Sequence, residues 1–143
     1  MKSIFENYPI VNATYEDAVK YIRVLQYMAG IDGIHKVETT AIKSLISAHN
    51  WSSSCYNDAL KEPINSIGEL QFSKDTIKVF APYLLRDMIA IAHTEGGFSA
   101  TERKIITDIA NELEISAEQL DNIHLAVSQQ FAAIHSWSKA IHR

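Results

Sequence analysis

The sequence predicts an all-α fold: a single compact domain over residues 1–143, with about six to eight helices and two pseudo-repeated helix–acidic turn–helix units. Three observations predict it. Apolar residues recur every three or four positions along most of the chain, the period of one helix face. No stretch alternates apolar and polar residues over strand length between turn signals. The phrase IAIAHTEGGFSATERKII at Ile89–Ile106 has a degraded copy, YMAGIDGIHKVETTAI, at Tyr27–Ile42. Aligning Arg23 with Arg86 sets Asp32 on Glu95 and Gly33 on Gly96. Glu38 then falls one residue short of Glu102, so the first connection is one residue tighter.

The elements follow in order. Residues 1–12 form an N-terminal arm that offers Phe5, Tyr8 and Ile10 to the core, and Pro9 argues against a helix through it. Thr14 ahead of Glu16 and Asp17 is a capping hydroxyl before acids of a first turn. Val19, Ile22, Leu25 and Met28 or Ala29 make the stripe of the first helix, and Gly30 and Gly33 end it. A second helix is expected from about Lys36 to His49, with Asn50 as its stop. Ser52–Ser54 start a short third helix to about Lys61, which Pro63 breaks, and another short turn is expected over Ile64–Leu70. Ser73-Lys74-Asp75 opens the next segment, where Pro82 predicts either a break near Phe80 with a restart at Ala81 or one kinked helix. Tyr83–Thr94 is almost continuously apolar apart from Arg86, Asp87 and His93, the mark of a central helix. Ser99 with Glu102 three residues on spells a capping box for the helix that ends near Leu113-Glu114. Ser116 and Gln119 start the last helix, whose Leu120, Ile123, Val127, Gln130, Ile134, Trp137 and Ile141 keep a three–four spacing.

Composition bounds the function. A net charge of -4 without a basic run excludes a nucleic-acid binder held by clustered phosphate contacts. No apolar run has the length of a membrane span, and the first twelve residues lack the apolar core of a secretory signal. Cys55 is the one cysteine, so no internal disulfide forms. The expectation is a cytoplasmic protein.

The acidic turns are the candidate site. Asp32 and Glu95 each precede a glycine in a tight connection, and Glu38 and Glu102 each stand in the first turn of the helix that follows. Carboxylates are hard oxygen ligands, and a loop that folds back joins two of them. His35 and His93 lie beside them, and a mixed oxygen and imidazole set suits zinc or another transition ion better than calcium. An EF-hand is excluded, because Ile91 and His93, or Met28 and Gly30 in the first copy, stand where its early oxygen ligands belong. The alternative for the same residues is structural: a carboxylate in a first turn stabilises the helix by about 0.3–1 kcal/mol, and an Asp before Gly closes its own turn.

These phrases resemble the TerB-like family, the tellurite-resistance-associated domain also found at the start of some membrane-anchored DnaJ-type co-chaperones. The residues that carry the resemblance are Ala92-His93-Thr94-Glu95-Gly96-Gly97-Phe98-Ser99-Ala100-Thr101-Glu102, followed by Ile109–Ser116. The first copy matches as Ala29-Gly30-Ile31-Asp32-Gly33 with Glu38. The likeness spans roughly Tyr15 to Ile134. It implies an all-helical domain with internal pseudo-symmetry, a metal site at Asp32, Glu38, Glu95 and Glu102, and a link to tellurite or stress resistance. Two departures stand out: Glu95 replaces the usual Asp, and His35-Lys36 occupies the place of a Ser or Thr cap in the shorter first loop.

The expected function is therefore a non-enzymatic domain binding a divalent metal ion through paired acidic turns, with His35 and His93 as additional donors. The alternative is a metal-free protein–protein interaction module using the C-terminal helix. Its Trp137 and Ile141 are the candidate contacts to a protein partner or a second copy; the stripe reads either as a coiled-coil seam with Gln130 as a polar register residue or, the favoured reading, as internal packing, because the first half of the helix follows the second unit directly. A hydrolase built on a metal and carboxylates is a third reading. Cys55 with His49 upstream lacks the orienting group and oxyanion site of a nucleophile and reads as a buried thiol.

Overall fold

The computed structural model describes residues 9–10, 12–30, 36–66, 69, 74–93 and 99–142, with the side chains of 36–38 and 74–78 outside that description. Its described residues form six α-helices and no strand. They are α1 (Tyr15–Gly30), α2 (Lys36–Ala48), α3 (Ser54–Lys61), α4 (Lys74–His93), α5 (Ala100–Glu112) and α6 (Ala117–Ile141). α4 is the hub, touching α1, α2, α5 and α6, while α1 also lies against α2 and α3.

Local chemistry sets where the helices begin. Thr14 Oγ1 accepts from the Asp17 N–H at 3.1 Å ahead of α1. Ser99 and Glu102 make a reciprocal capping box at α5, and the Ser116 hydroxyl accepts from the Gln119 N–H at α6. These are the donors a helix start leaves without partners inside the helix. The C-termini of α2 and α5 close alike. Trp51 N–H donates to the Ile46 carbonyl and Asn50 N–H to that of Ser47; Ile115 N–H donates to Ala110 and Glu114 N–H to Asn111. Each closure needs one left-handed residue, and Asn50 (φ 59°) and Glu114 (φ 60°) supply it. Both helices have 13 residues, and the connection before α2 (31–35) is one residue shorter than that before α5 (94–99).

The core lies along α1 and α4. Tyr21, Ile22, Leu25 and Met28 from α1 meet Leu84, Leu85, Met88, Ile89 and Ile91 from α4, with Ile42 and Leu45 of α2 and Ile106 of α5, all fully buried. The expected central helix over Tyr83–Thr94 is thus the C-terminal half of α4. Pro82 does not split the segment: one helix runs from Lys74 through it to His93. A proline forfeits one internal hydrogen bond, and burial on both sides of this position, at Phe80, Ala81, Leu84 and Leu85, holds the helix together. The turn of helix expected over Ile64–Leu70 lies partly outside the described residues, and the described ones there form no α-helix. Of the N-terminal arm, Ile10 is buried, whereas Phe5 and Tyr8 lie outside the description.

α6 differs from the others. Only Leu120 and Val127 are buried, and its last two turns stand exposed, Trp137 at 58% and Ile141 at 67%. The three–four stripe therefore seats on α4 in its first half and runs past it in its second.

Candidate functional site

Glu102 is the sequence-predicted ligand that the structure describes most fully. It is 4% exposed, in the first turn of α5. Its backbone N–H donates to Ser99 Oγ at 3.0 Å, and its Oε1 accepts from the Ser99 N–H at 3.1 Å. Oε2 is also buried and has no hydrogen-bond partner among the described residues. A buried oxygen left without a donor costs about 1–3 kcal/mol, more where the group is charged. Among the described residues, capping accounts for one of the two oxygens and not the other.

His93, the last residue of α4, turns toward α6. Its ring stacks on Phe131 (centroids 5.1 Å, 19° between planes), and Nε2 lies 3.5 Å from Ser128 Oγ. Partial burial, and then the Arg103 charge, hold its pKa below the usual value; the same two causes act on His124. Asp32, His35 and Glu95 lie outside the described residues, as does the side chain of Glu38. Among the described residues no group of three His, Cys, Asp or Glu side chains is arranged to hold a metal ion.

A buried polar cluster sits elsewhere, and the sequence reading did not assemble it. Asp87, 0% exposed in the middle of α4, accepts on Oδ2 from the Tyr21 hydroxyl of α1 at 2.5 Å and from His49 Nε2 at 2.9 Å. Its Oδ1 accepts from Arg86 Nε at 2.9 Å. His49 Nδ1 accepts from the Ile10 N–H at 2.8 Å. That bond fixes the tautomer, because a ring nitrogen that accepts leaves the proton on the other. His49 is thus neutral, with its Nε2–H aimed at Asp87. Its ring stacks on Trp51 (4.6 Å), and Tyr21 meets Trp51 edge-on at 5.1 Å. Burial, then the Asp87 charge, push the Tyr21 hydroxyl well above its usual pKa, so it stays a donor. The cluster ties the N-terminal arm, α1, the end of α2 and α4 at one point. Tyr21, His49 and Asp87 are all buried, and their hydrogen bonds join these elements as a clamp. It also removes His49 from any pairing with Cys55, whose buried thiol is raised in pKa by desolvation.

Clefts open on the surface of the described residues. One, of about 330 Å³, lies between α4 and α6 and is lined by Pro82, Tyr83, Arg86, Ile123, Ala126, Val127 and Gln130. Another, of about 430 Å³, lies between α2 and α3 beside Lys43, Trp51 and Tyr56. The Trp51 indole N–H is buried without a partner among the described residues. Among the described residues, the cations in these linings sit over aromatic rings, Arg86 over Tyr83 at 5.2 Å and Lys43 over Tyr56 at 5.0 Å.

No helix among the described residues is long and apolar enough to cross a membrane. No family model matches the chain, and no curated protein or solved structure matches it either.

Proposed function

We propose that the chain is an internally duplicated, non-enzymatic helical domain of the TerB-like kind that holds one divalent cation where its two acidic turns approach each other. In this reading Asp32, Glu38, Glu95 and Glu102 supply carboxylate oxygens, and His35 and His93 are the candidate nitrogen donors. The observation that carries it is the second oxygen of Glu102, buried and without a hydrogen-bond partner among the described residues. A cation would satisfy that oxygen while Oε1 keeps the cap, and a carboxylate shared in this way is an ordinary oxygen ligand. The ring of His93 is engaged with Phe131 and Ser128, which favours carboxylates over imidazole and so magnesium, calcium or manganese over zinc.

The duplication has its own support. α2 and α5 are equally long, close with the same pair of backbone bonds around a left-handed non-glycine residue, and follow connections that differ by one residue in the sense the alignment requires. A cytoplasmic setting tied to tellurite or stress resistance is the physiological context that the family likeness offers.

Native mass spectrometry tests the site. Protein stripped with chelator is titrated with calcium, magnesium, manganese and zinc. The expected result is one stoichiometric adduct that is lost in both Asp32→Asn and Glu102→Gln. Absence of any saturable adduct would leave the carboxylates as caps and turn closers.

A further inference from the structure

We infer that α6 is a self-association helix, and that a second copy of this chain covers it in antiparallel fashion about a two-fold axis at Gln130. The stripe Ile123, Val127, Gln130, Ile134, Trp137, Ile141 is continuous, yet its two halves have opposite character. The first half walls the cleft between α4 and α6, together with Pro82, Tyr83 and Arg86. The second half projects Trp137 and Ile141 with more than half of each side chain exposed. One end of the helix thus offers a hollow and the other a knob.

The spacing makes the two self-complementary. Ile123 and Trp137 are 14 positions apart, about 21 Å along the helix, and Gln130 stands midway. An antiparallel pair with its axis there sets Trp137 of each copy at the cleft beside Ile123 of the other, and Ile134 against Ala126. Gln130 faces Gln130, where each amide can donate to and accept from its mate. Such an interface is isologous, which a closed pair requires. Composition agrees: between Asp121 and Lys139 the helix carries no Asp, Glu, Lys or Arg, although most of its surface there is exposed. Charge depletion together with an exposed aromatic is the signature of an interface core.

A cation–π contact also favours a second copy. Among the described residues, the charged residue that lines the cleft is Arg86, its guanidinium already over the Tyr83 ring, and an indole is the best π partner for a guanidinium. Burying Trp137 and Ile141 twice over, with the walls that receive them, removes on the order of 1,000 Å² from water, the lower bound for a specific pair. α3, which occupies the place of α6 in the first half of the chain, stops after eight residues, whereas α6 runs for 25. The extra length is the part without a covering neighbour among the described residues.

Sedimentation velocity of the full chain over a wide concentration range tests this. The expected result is a reversible monomer–dimer equilibrium, weakened at least tenfold by Trp137→Ala and unchanged by Leu125→Ala, which removes an equally exposed side chain from the opposite face. Gln130→Cys should form an intermolecular disulfide under mild oxidation. Trp137→Cys should not, since its two copies lie far apart across the axis, and the native Cys55 is buried. A monomer at all concentrations overturns the inference, as does a dimer indifferent to Trp137→Ala. A monomer that co-sediments through Trp137 with anionic phospholipid vesicles overturns it in favour of a membrane surface.

Discussion

Replacing Asp87 by Asn tests the buried clamp with the least disturbance of shape. Three donors converge on the carboxylate: Tyr21 at 2.5 Å and His49 at 2.9 Å on one oxygen, and Arg86 Nε at 2.9 Å on the other. An Asn oxygen can keep the first two. Its NH₂ then replaces Oδ1 and meets the Arg86 N–H donor to donor. Hydrogen bonds to a charged partner contribute about 1.5–3 kcal/mol each, and removing one member of a buried pair costs about 3–5 kcal/mol. The Asp87 side chain is 0% and the Arg86 side chain 16% exposed, so water can make up little of the loss. The expected destabilisation is therefore about 3–5 kcal/mol, a fall in Tm on the order of 10 °C for a chain of this size. Urea unfolding followed by far-UV circular dichroism measures it, with an unchanged m-value showing that stability rather than compactness moved. Tyr21→Phe should cost about 1–2 kcal/mol, and the double variant less than the sum of the two, because they share one oxygen. A loss below about 1 kcal/mol for Asp87→Asn, or strict additivity, would refute the clamp.

Glu114 holds a left-handed conformation (φ 60°) that disfavours any side chain; Glu114→Gly should raise stability by about 0.5–1 kcal/mol in the same urea assay. Ser99→Ala removes the hydroxyl that accepts from the Glu102 N–H and should lower it by about 1 kcal/mol. The pH dependence has a defined sign. His93 and His124 are held below their usual 6.5 by burial and then by Arg103, so the unfolded chain binds protons first. Their contribution is fully present above pH 6.5 and is lost as pH falls through the lower folded values; Tm measured across that window should decline less steeply in a His93→Gln, His124→Gln variant.

Local chemistry was legible in the sequence and long-range pairing was not. Thr14, Ser99 with Glu102, and Ser116 with Gln119 announce helix starts because the hydroxyl and the amide it serves are three residues apart. Asn50 was readable as a stop because asparagine tolerates the left-handed conformation that ends a helix. Glu114 was harder, because the position favours glycine or asparagine and Glu fills it only through the closure around it. The clamp left a single trace, an acid within the apolar run of α4. Nothing local says that its donors lie 38 and 66 positions away. Pro82 suggested a break because propensity speaks before packing does, and the buried neighbours on both sides override it. In α6 the three–four spacing runs unchanged from Leu120 to Ile141, so the pattern could not tell where its cover by α4 ends. Of the candidate ligands, the sequence placed Glu102 correctly as a cap, and its second oxygen, without a partner among the described residues, emerged only with burial in three dimensions.

The most direct measurement compares the stability of wild-type protein and Glu102→Gln, each in chelator and then with the ion that binds. Gln at this position keeps the capping box, since its amide oxygen still accepts from the Ser99 N–H, and it removes the half-satisfied charge. The account predicts a crossing: in chelator the variant is as stable as wild type or more so, and with ion in 100-fold excess over Kd wild type gains about 2.7 kcal/mol while the variant gains little. If Glu102 is only a cap, the two proteins respond alike to every ion and differ by a constant, small amount. That result would contradict the metal site.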